Sequence, residues 1–272
     1  MRKLIYQYWD GTLTPGNEAG SKMMKQYADR IGADYKFELN PKWRTDLGAY
    51  TAYYGAFKPI FDSEMSQYDY VLFVDTDVIP VDSLTEDIFD QFIGTDVEIG
   101  ICEEWNQPAQ RAKNVGHINN KYDNIWINTL KSKYPDINFP LTPEGWPKVY
   151  NSGVVVYSKK GMDKFRENYV NFKTYITWMN AAGLTKFYEC DQPYLHAMLE
   201  VCKFNWITMD YKWNSAVHYT PGTSGSKRPV IDLRNNRANF VHIQLRFGDC
   251  YDYDTTWRVA NLPVDLWNQH VY

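Results

Sequence analysis

Residues 71–80 read Val-Leu-Phe-Val-Asp-Thr-Asp-Val-Ile-Pro. With Tyr70 in front, Tyr70–Val74 is a short unbroken apolar run, the pattern of a parallel strand buried on both faces. It stops at Asp75, and Asp77 follows one residue later. Ligands of open α/β sheets bind beyond the carboxyl ends of the strands. Two carboxylates at such an end repel each other, so something positive should offset them. Hard divalent cations such as Mg²⁺ or Mn²⁺ take oxygen ligands and bridge to phosphate oxygens. The pair therefore points to a cation that neutralises a nucleotide diphosphate. Two turn carboxylates at the surface are the competing account, and the apolar run before Asp75 weighs against it.

Outward from this strand, the chain alternates strand and helix. Lys3–Tyr8 is rich in β-formers and predicts a first strand. Pro15, Gly16 and Asn17 mark a turn and a helix cap, and Met23, Met24, Tyr27, Ala28 and Ile31 recur at helical spacing up to Gly32. Ala33–Leu39 predicts a second strand. Ala49, Ala52, Tyr53, Ala56, Phe57, Ile60 and Phe61 predict a helix that contains Pro59. Such alternation implies βαβ units. Val97–Ile101, Val149–Tyr157 and Phe240–Ile243 predict further strands, and Asp191–Val201 a helix with Asp191 at its cap and Pro193 in the first turn. Residues 103–147 are polar and irregular, with one helix near Tyr122–Lys133, the signature of a lid or acceptor loop. Thr220–Pro229 reads as a flexible loop. No repeat or linker divides the chain. The expectation is one α/β domain over 1–272, Rossmann-like, with a mostly parallel central sheet flanked by helices.

Composition narrows the function. Lys plus Arg is 29 against 33 Asp plus Glu, a net charge of −4, so there is no basic field for nucleic acid or an anionic membrane. Aromatic residues are 17%; their faces stack on sugars and nucleobases, although core filling is an equally good account. The N-terminus turns polar too early for a secretory signal, and no run approaches a membrane span. The four cysteines, Cys102, Cys190, Cys202 and Cys250, show no paired spacing. They read as reduced thiols of a cytoplasmic protein.

Asp10-Gly11-Thr12-Leu13 after the first strand is similar to the loop of haloacid-dehalogenase phosphatases. The nucleophilic Asp of that motif would fall on Tyr8, which cannot form a phospho-aspartate. Tyr6 and Tyr8 point to one side of the first strand, towards a nucleotide pocket or into the core. Asn151-Ser152-Gly153 opens a Val-rich strand; the Gly permits close backbone approach and the Asn both donates and accepts hydrogen bonds.

Taken in order, these motifs resemble retaining glycosyltransferases of the glycogenin and lipopolysaccharide galactosyltransferase type (family 8), which adopt the GT-A fold. The resemblance covers roughly residues 3–102 and 149–248. It implies that Asp75, Asp77 and His242, in Phe240-Val241-His242-Ile243-Gln244, hold Mn²⁺ (or Mg²⁺) against the diphosphate of the donor. It further implies donor contacts from Lys58, at the family's Arg position, from Thr76 within the motif, and from Asn151, Ser152 and Gly153. Asp191-Gln192 matches the family's Asp-Gln pair facing the sugar's reactive carbon, and Lys212-Trp213-Asn214 its Trp-Asn element. Where the family continues from its His to a Gly and Lys-Pro-Trp, this chain has Leu245-Arg246-Phe247-Gly248, with Arg246 in place of the phosphate-binding Lys.

The implied activity is transfer of a hexose from a nucleotide diphosphate sugar, by resemblance a UDP-sugar, to a hydroxyl of a glycan or other acceptor with retention. Residues 1–102 would form the nucleotide half, 103–148 an insertion, and 149–272 the sugar and acceptor half. An inverting enzyme using Glu103, Glu104 or Asp191 as base, and a metal-dependent glycan-binding module, remain the alternatives. A sugar nucleotidyltransferase would need a Gly-rich, Arg-containing loop after the first strand, which Trp9–Gly16 lacks.

Overall fold

The protein is described by a computed structural model covering residues 1–104, 119–219, 230–232, 234, 237–245 and 252–267. Strand β1 (Lys3–Trp9) leads through helix α1 (Pro15–Ile31) to β2 (Asp34–Leu39). Thr14 caps α1 by accepting from the Asn17 N–H, Pro15 opens its first turn, and Gly32 closes it in the left-handed region (φ 65°). This is the Pro-first, Gly-last arrangement that the sequence spells out. Strand β3 (Tyr70–Val74) follows, with Val71, Leu72, Phe73 and Val74 all buried. Burying each such side chain is worth about 2 kcal/mol, so the register that delivers Asp75 to the strand end is strongly fixed.

The central sheet runs β2-β1-β3-β6-β5-β7, completed by β5 (Ile99–Glu103), β6 (Tyr150–Ser158) and β7 (Trp206–Met209). Three of its five pairings are parallel; β6 runs antiparallel to both β3 and β5. The architecture is the expected α/β class with a mostly parallel central sheet. A second sheet, not foreseen, has the order β4-β10-β8-β9, from β4 (Val78–Pro80), β8 (Ser215–Tyr219), β9 (Val230–Asp232) and β10 (Phe240–Gln244).

Helix α2 (Lys58–Phe61) is the only α-helical turn of the predicted 49–61 helix. The rest is two 3-10 segments, Thr45–Tyr50 and Tyr53–Phe57. Gly48 departs from helical geometry (φ 57°), and Pro59 can be accommodated only at the start of a helix, so the segment breaks on both sides. Beyond it come α3 (Asn120–Lys131), α4 (Lys159–Asn168), α5 (Phe172–Ala181), α6 (Asp191–Val201), α7 (Tyr253–Asn261) and the short α8 (Val264–Trp267). The 17% aromatic content is largely packing. Tyr54, Phe57, Phe165, Phe172 and Tyr194 pack ring against ring on one face of the central sheet. Among the described residues no helix is long and apolar enough to cross a membrane. The loop expected at Thr220–Pro229 and the Cys250 thiol lie outside the described residues, while Cys102, Cys190 and Cys202 are free and buried.

Candidate active site

The two sheets meet at Asp75–Asp77. Strand β3 leaves the central sheet, the chain turns through the three residues with Val78 N–H donating to Asp75 O at 3.2 Å, and β4 enters the second sheet. Strand β10 pairs antiparallel with β4, so His242 stands opposite Val78. The Ile243 N–H donates to Asp77 O and the Asp75 N–H to Gly153 O, each at 2.9 Å. A side chain 165 residues downstream is thereby carried to the carboxylates. One ligand atom from each of Asp75, Asp77 and His242 lies within 4.8 Å of the others, and His242 Nε2 is 3.4 Å from Asp77 Oδ1.

Gly153 makes this approach possible. It lies on β6 beside the Asp75 end of β3, and a Cβ there would sit 2.8 Å from Asp75 Oδ2, 2.8 Å from Asn151 Oδ1 and 3.0 Å from His242 Cε1. Helix α1 contributes from beneath: Asn17 Nδ2 donates to Thr76 Oγ1 at 2.8 Å, and a Cβ at Gly20 would collide with Thr76 O.

An open cavity of about 400 Å³ spans the junction. Asp75, Thr76, Asp77 and His242 line it together with Asn151, Ser152, Asp191, Gln192 and Tyr8. Nine of the sequence-selected residues thus converge on one space, although they come from five separate segments. Trp9, Asp10, Tyr53 and Gln244 complete the wall among others. His242 is the one basic side chain among the described lining residues.

The other selected residues stand elsewhere. Tyr6 is fully buried and donates to Glu38 Oε2 at 2.7 Å. Lys58 Nζ is paired with Glu38 at 2.8 Å and Asp62 at 2.6 Å, in a largely buried network shared with Tyr6 and outside the cavity lining. Gly153 lies under the cavity floor. Arg246 lies outside the described residues.

Charge in the cavity is poorly matched. Burial, with the Asp77 charge behind it, pushes the Asp75 carboxyl up to about 7, against the opposing pull of His242. Burial alone would lower the His242 imidazole, but Asp77 and Asp75 carry it up to about 9. Two carboxylates within 4.8 Å repel by roughly 3 kcal/mol at an effective dielectric near 20. Burial likewise raises Asp191 to about 6, moderated by Ser152 Oγ, which donates to Asp191 Oδ2 at 2.7 Å. Asp191 is the first residue of α6 and Cys190 occupies the cap position, a one-residue correction to the sequence reading. The N-terminal end of that helix favours the ionised carboxylate.

The chain matches no protein-family model and no curated protein sequence. Among solved structures it is similar to a glycosyltransferase involved in the glycosylation of the major capsid of PBCV-1, at 12% identity over 79% of this chain and 86% of that one, TM-score 0.47. It is similar to the Q189E active-site mutant of LgtC, at 12% identity over 88% and 86%, TM-score 0.48. Mouse xyloside xylosyltransferase 1 shows 12% identity over 89% and 97%, TM-score 0.47.

The donor set itself fits a divalent cation. Two carboxylates and an imidazole converge, a combination suited to Mn²⁺ as well as to Mg²⁺ with retained water. The imidazole is also held from behind: His242 Nδ1 donates to Asn214 Oδ1 at 2.9 Å, the outer contact by which metal-ligating histidines are usually oriented. Asn214, Glu104 and Gln7 were not selected as site residues from the sequence. Gln7 Nε2 donates to Asp75 O at 3.1 Å, and Glu104 accepts from Asn151 and Gln192. Asn214 had one sequence signal, its place in the Trp-Asn element; Glu104 is weighed in the sequence only as the base of an inverting enzyme, and Gln7 had no signal.

Proposed function

We propose that the chain is a metal-dependent glycosyltransferase of the GT-A kind that moves a hexose from a nucleotide diphosphate sugar, in the first instance a UDP-sugar, to a hydroxyl of a glycan or other acceptor with retention. The observation that carries this reading is convergence. The Asp75–Asp77–His242 cluster and the Asp191–Gln192 pair line a single cavity.

Asp75, Asp77 and His242 would hold Mn²⁺ or Mg²⁺, which when bound supplies Lewis-acid stabilisation of a departing diphosphate. The remaining chemistry belongs to the chain. Departure of the diphosphate leaves an oxocarbenium-like sugar. The Asp191 carboxylate, fixed by Ser152, supplies the negative charge that offsets it, or attacks the reactive carbon from the opposite face and is displaced in turn; by either route the acceptor hydroxyl bonds that carbon on the face the diphosphate leaves, and its proton passes to the diphosphate. Gln192, an amide and a weak nucleophile, orients the sugar by hydrogen bonds. Tyr8, Trp9 and Tyr53 line the cavity and would supply the aromatic contacts to base and sugar. Residues 1–102 serve as the nucleotide half and 149–272 as the sugar and acceptor half.

Thermal shift separates this reading from a glycan-binding module. UDP with Mn²⁺ should raise the melting temperature by several degrees, and neither alone should do as much. Stabilisation by free glycans without any effect of UDP and Mn²⁺ would favour the binding module.

A further inference from the structure

Behind the cation ligands runs a line of hydrogen bonds with a fixed direction. The backbone N–H of Gly153 donates to Asn151 Oδ1 at 2.8 Å. A backbone N–H can only donate, so this contact fixes which end of the Asn151 amide is oxygen. Asn151 Nδ2 then faces Glu104 Oε2 at 2.8 Å, and an ionised carboxylate can only accept. Two independent anchors thus agree on one orientation. Asn214 Nδ2 donates to the same Asn151 Oδ1 at 2.9 Å. Its own Oδ1 is left facing His242 Nδ1 at 2.9 Å and can only accept. His242 Nδ1 therefore keeps its proton, and Nε2 is turned to the side of Asp77 as the nitrogen that gives up its proton to a bound cation. Asn151, Asn214 and His242 are each no more than 7% exposed, so water does not readily substitute for a missing member. Glu104 also accepts from Gln192 Nε2 at 3.3 Å.

We infer that Glu104, Asn151 and Asn214 form a directional relay that holds His242 in its cation-binding tautomer, and that Glu104 ties this relay to the Gln192 amide. Glu104 and Asn214 are positioning residues in this account. The inference rests on the reading of Asp75, Asp77 and His242 as a cation site. Loss of an outer partner of a metal-ligating histidine typically weakens metal binding 10–100-fold.

The test uses the full chain and Mn²⁺ alone, with affinity read by electron paramagnetic resonance. Asn214→Leu should bind Mn²⁺ about 10–100-fold more weakly. Glu104→Gln, on a partly exposed residue, should lose roughly 3–10-fold, less than a direct outer partner, because it removes the charged one of the two anchors on Asn151 and leaves the Gly153 N–H alone to hold the line. Combined in Asn214→Leu/Glu104→Gln, the losses should be less than additive, since both act through one path. Nitrogen-15 spectra of the cation-free protein, at a pH where the imidazole is neutral and with only 5 histidines to assign, should place the His242 proton on Nδ1 in the parent and share it between both nitrogens in Asn214→Leu. If Asn214→Leu does not fold, Glu104→Gln carries the test with the same two readouts. Parent-like Mn²⁺ affinity in Glu104→Gln, or strictly additive losses, would overturn the relay. No Mn²⁺ binding by the parent chain would instead overturn the cation site beneath it.

Discussion

Ser152 Oγ donates to Asp191 Oδ2 at 2.7 Å, tying the first turn of α6 to the opening residues of β6 across the cavity floor. The bond holds an otherwise buried carboxylate in one orientation and favours its charged form. Burial still leaves that carboxyl raised, at about 6. If Asp191 acts ionised, turnover should fall as pH drops through about 6. Ser152→Ala removes a hydrogen bond to a charged group, worth about 1.5–3 kcal/mol, and should move the acid limb of kcat upward by about one to two pH units. An unmoved acid limb would assign Asp191 a role that does not need its charge.

The cation-free protein should lose stability as pH rises from about 5 to 9. Asp75 at about 7 and Asp191 at about 6 both lie above their unfolded value of 3.8. In that window the folded state holds protons that the unfolded state has released, so stability declines with increasing pH. His242, raised from 6.5 to about 9, acts in the same direction: its contribution is full below 6.5 and is lost through 9. A divalent cation takes the place of these protons. Mn²⁺ should therefore raise the melting temperature more at pH 8 than at pH 5.5. A cation effect independent of pH would mean that these three groups are not its ligands or neighbours.

Gly153→Ala should abolish cation binding without unfolding the chain. The added methyl would stand between Asp75 and His242 at 2.8–3.0 Å, tighter than ordinary van der Waals contact. Overpacking of this kind costs about 1–3 kcal/mol, a stability loss that circular dichroism and a melting curve can follow beside Mn²⁺ titration. Parent-like Mn²⁺ affinity in this variant would show that the cluster relaxes freely around the methyl.

Much of this site was legible because its chemistry sits at strand ends. The unbroken run Tyr70–Val74 fixed where Asp75 would emerge, and Pro15 and Gly32 bounded α1 within a residue. Asp191–Val201 formed as expected, with Pro193–Leu199 buried without a break. The second sheet was not legible. Its β4 strand has three residues and no alternation to betray it, so the sequence alone could not show that β10 would bring His242 to Asp77. Asn214 and Asn151 meet across 63 residues, and Asn151 and Glu104 across 47. Such partnerships are set by sheet pairing, which local pattern does not encode. Tyr6 and Tyr8 share a strand face, yet the Glu38 carboxylate captures Tyr6 while Tyr8 lines the cavity.

Gln192→Ala should lower kcat by about 10–100-fold, some 1.4–2.7 kcal/mol of transition-state stabilisation, with a smaller change in donor KM. Steady-state kinetics with the preferred nucleotide sugar separate the two. A pure rise in KM would place Gln192 in donor binding alone.

The central claim is that a cation beside Asp75 and Asp77 drives departure of a nucleotide diphosphate from its sugar. Its most direct measurement is diphosphate released from a panel of nucleotide sugars with Mn²⁺, with Mn²⁺ removed by chelation, and with Asp77→Asn. The account predicts release from at least one donor, UDP-sugars first, that requires Mn²⁺ and disappears in a folded Asp77→Asn protein. Undiminished release by Asp77→Asn, or after complete removal of divalent cations, would contradict it.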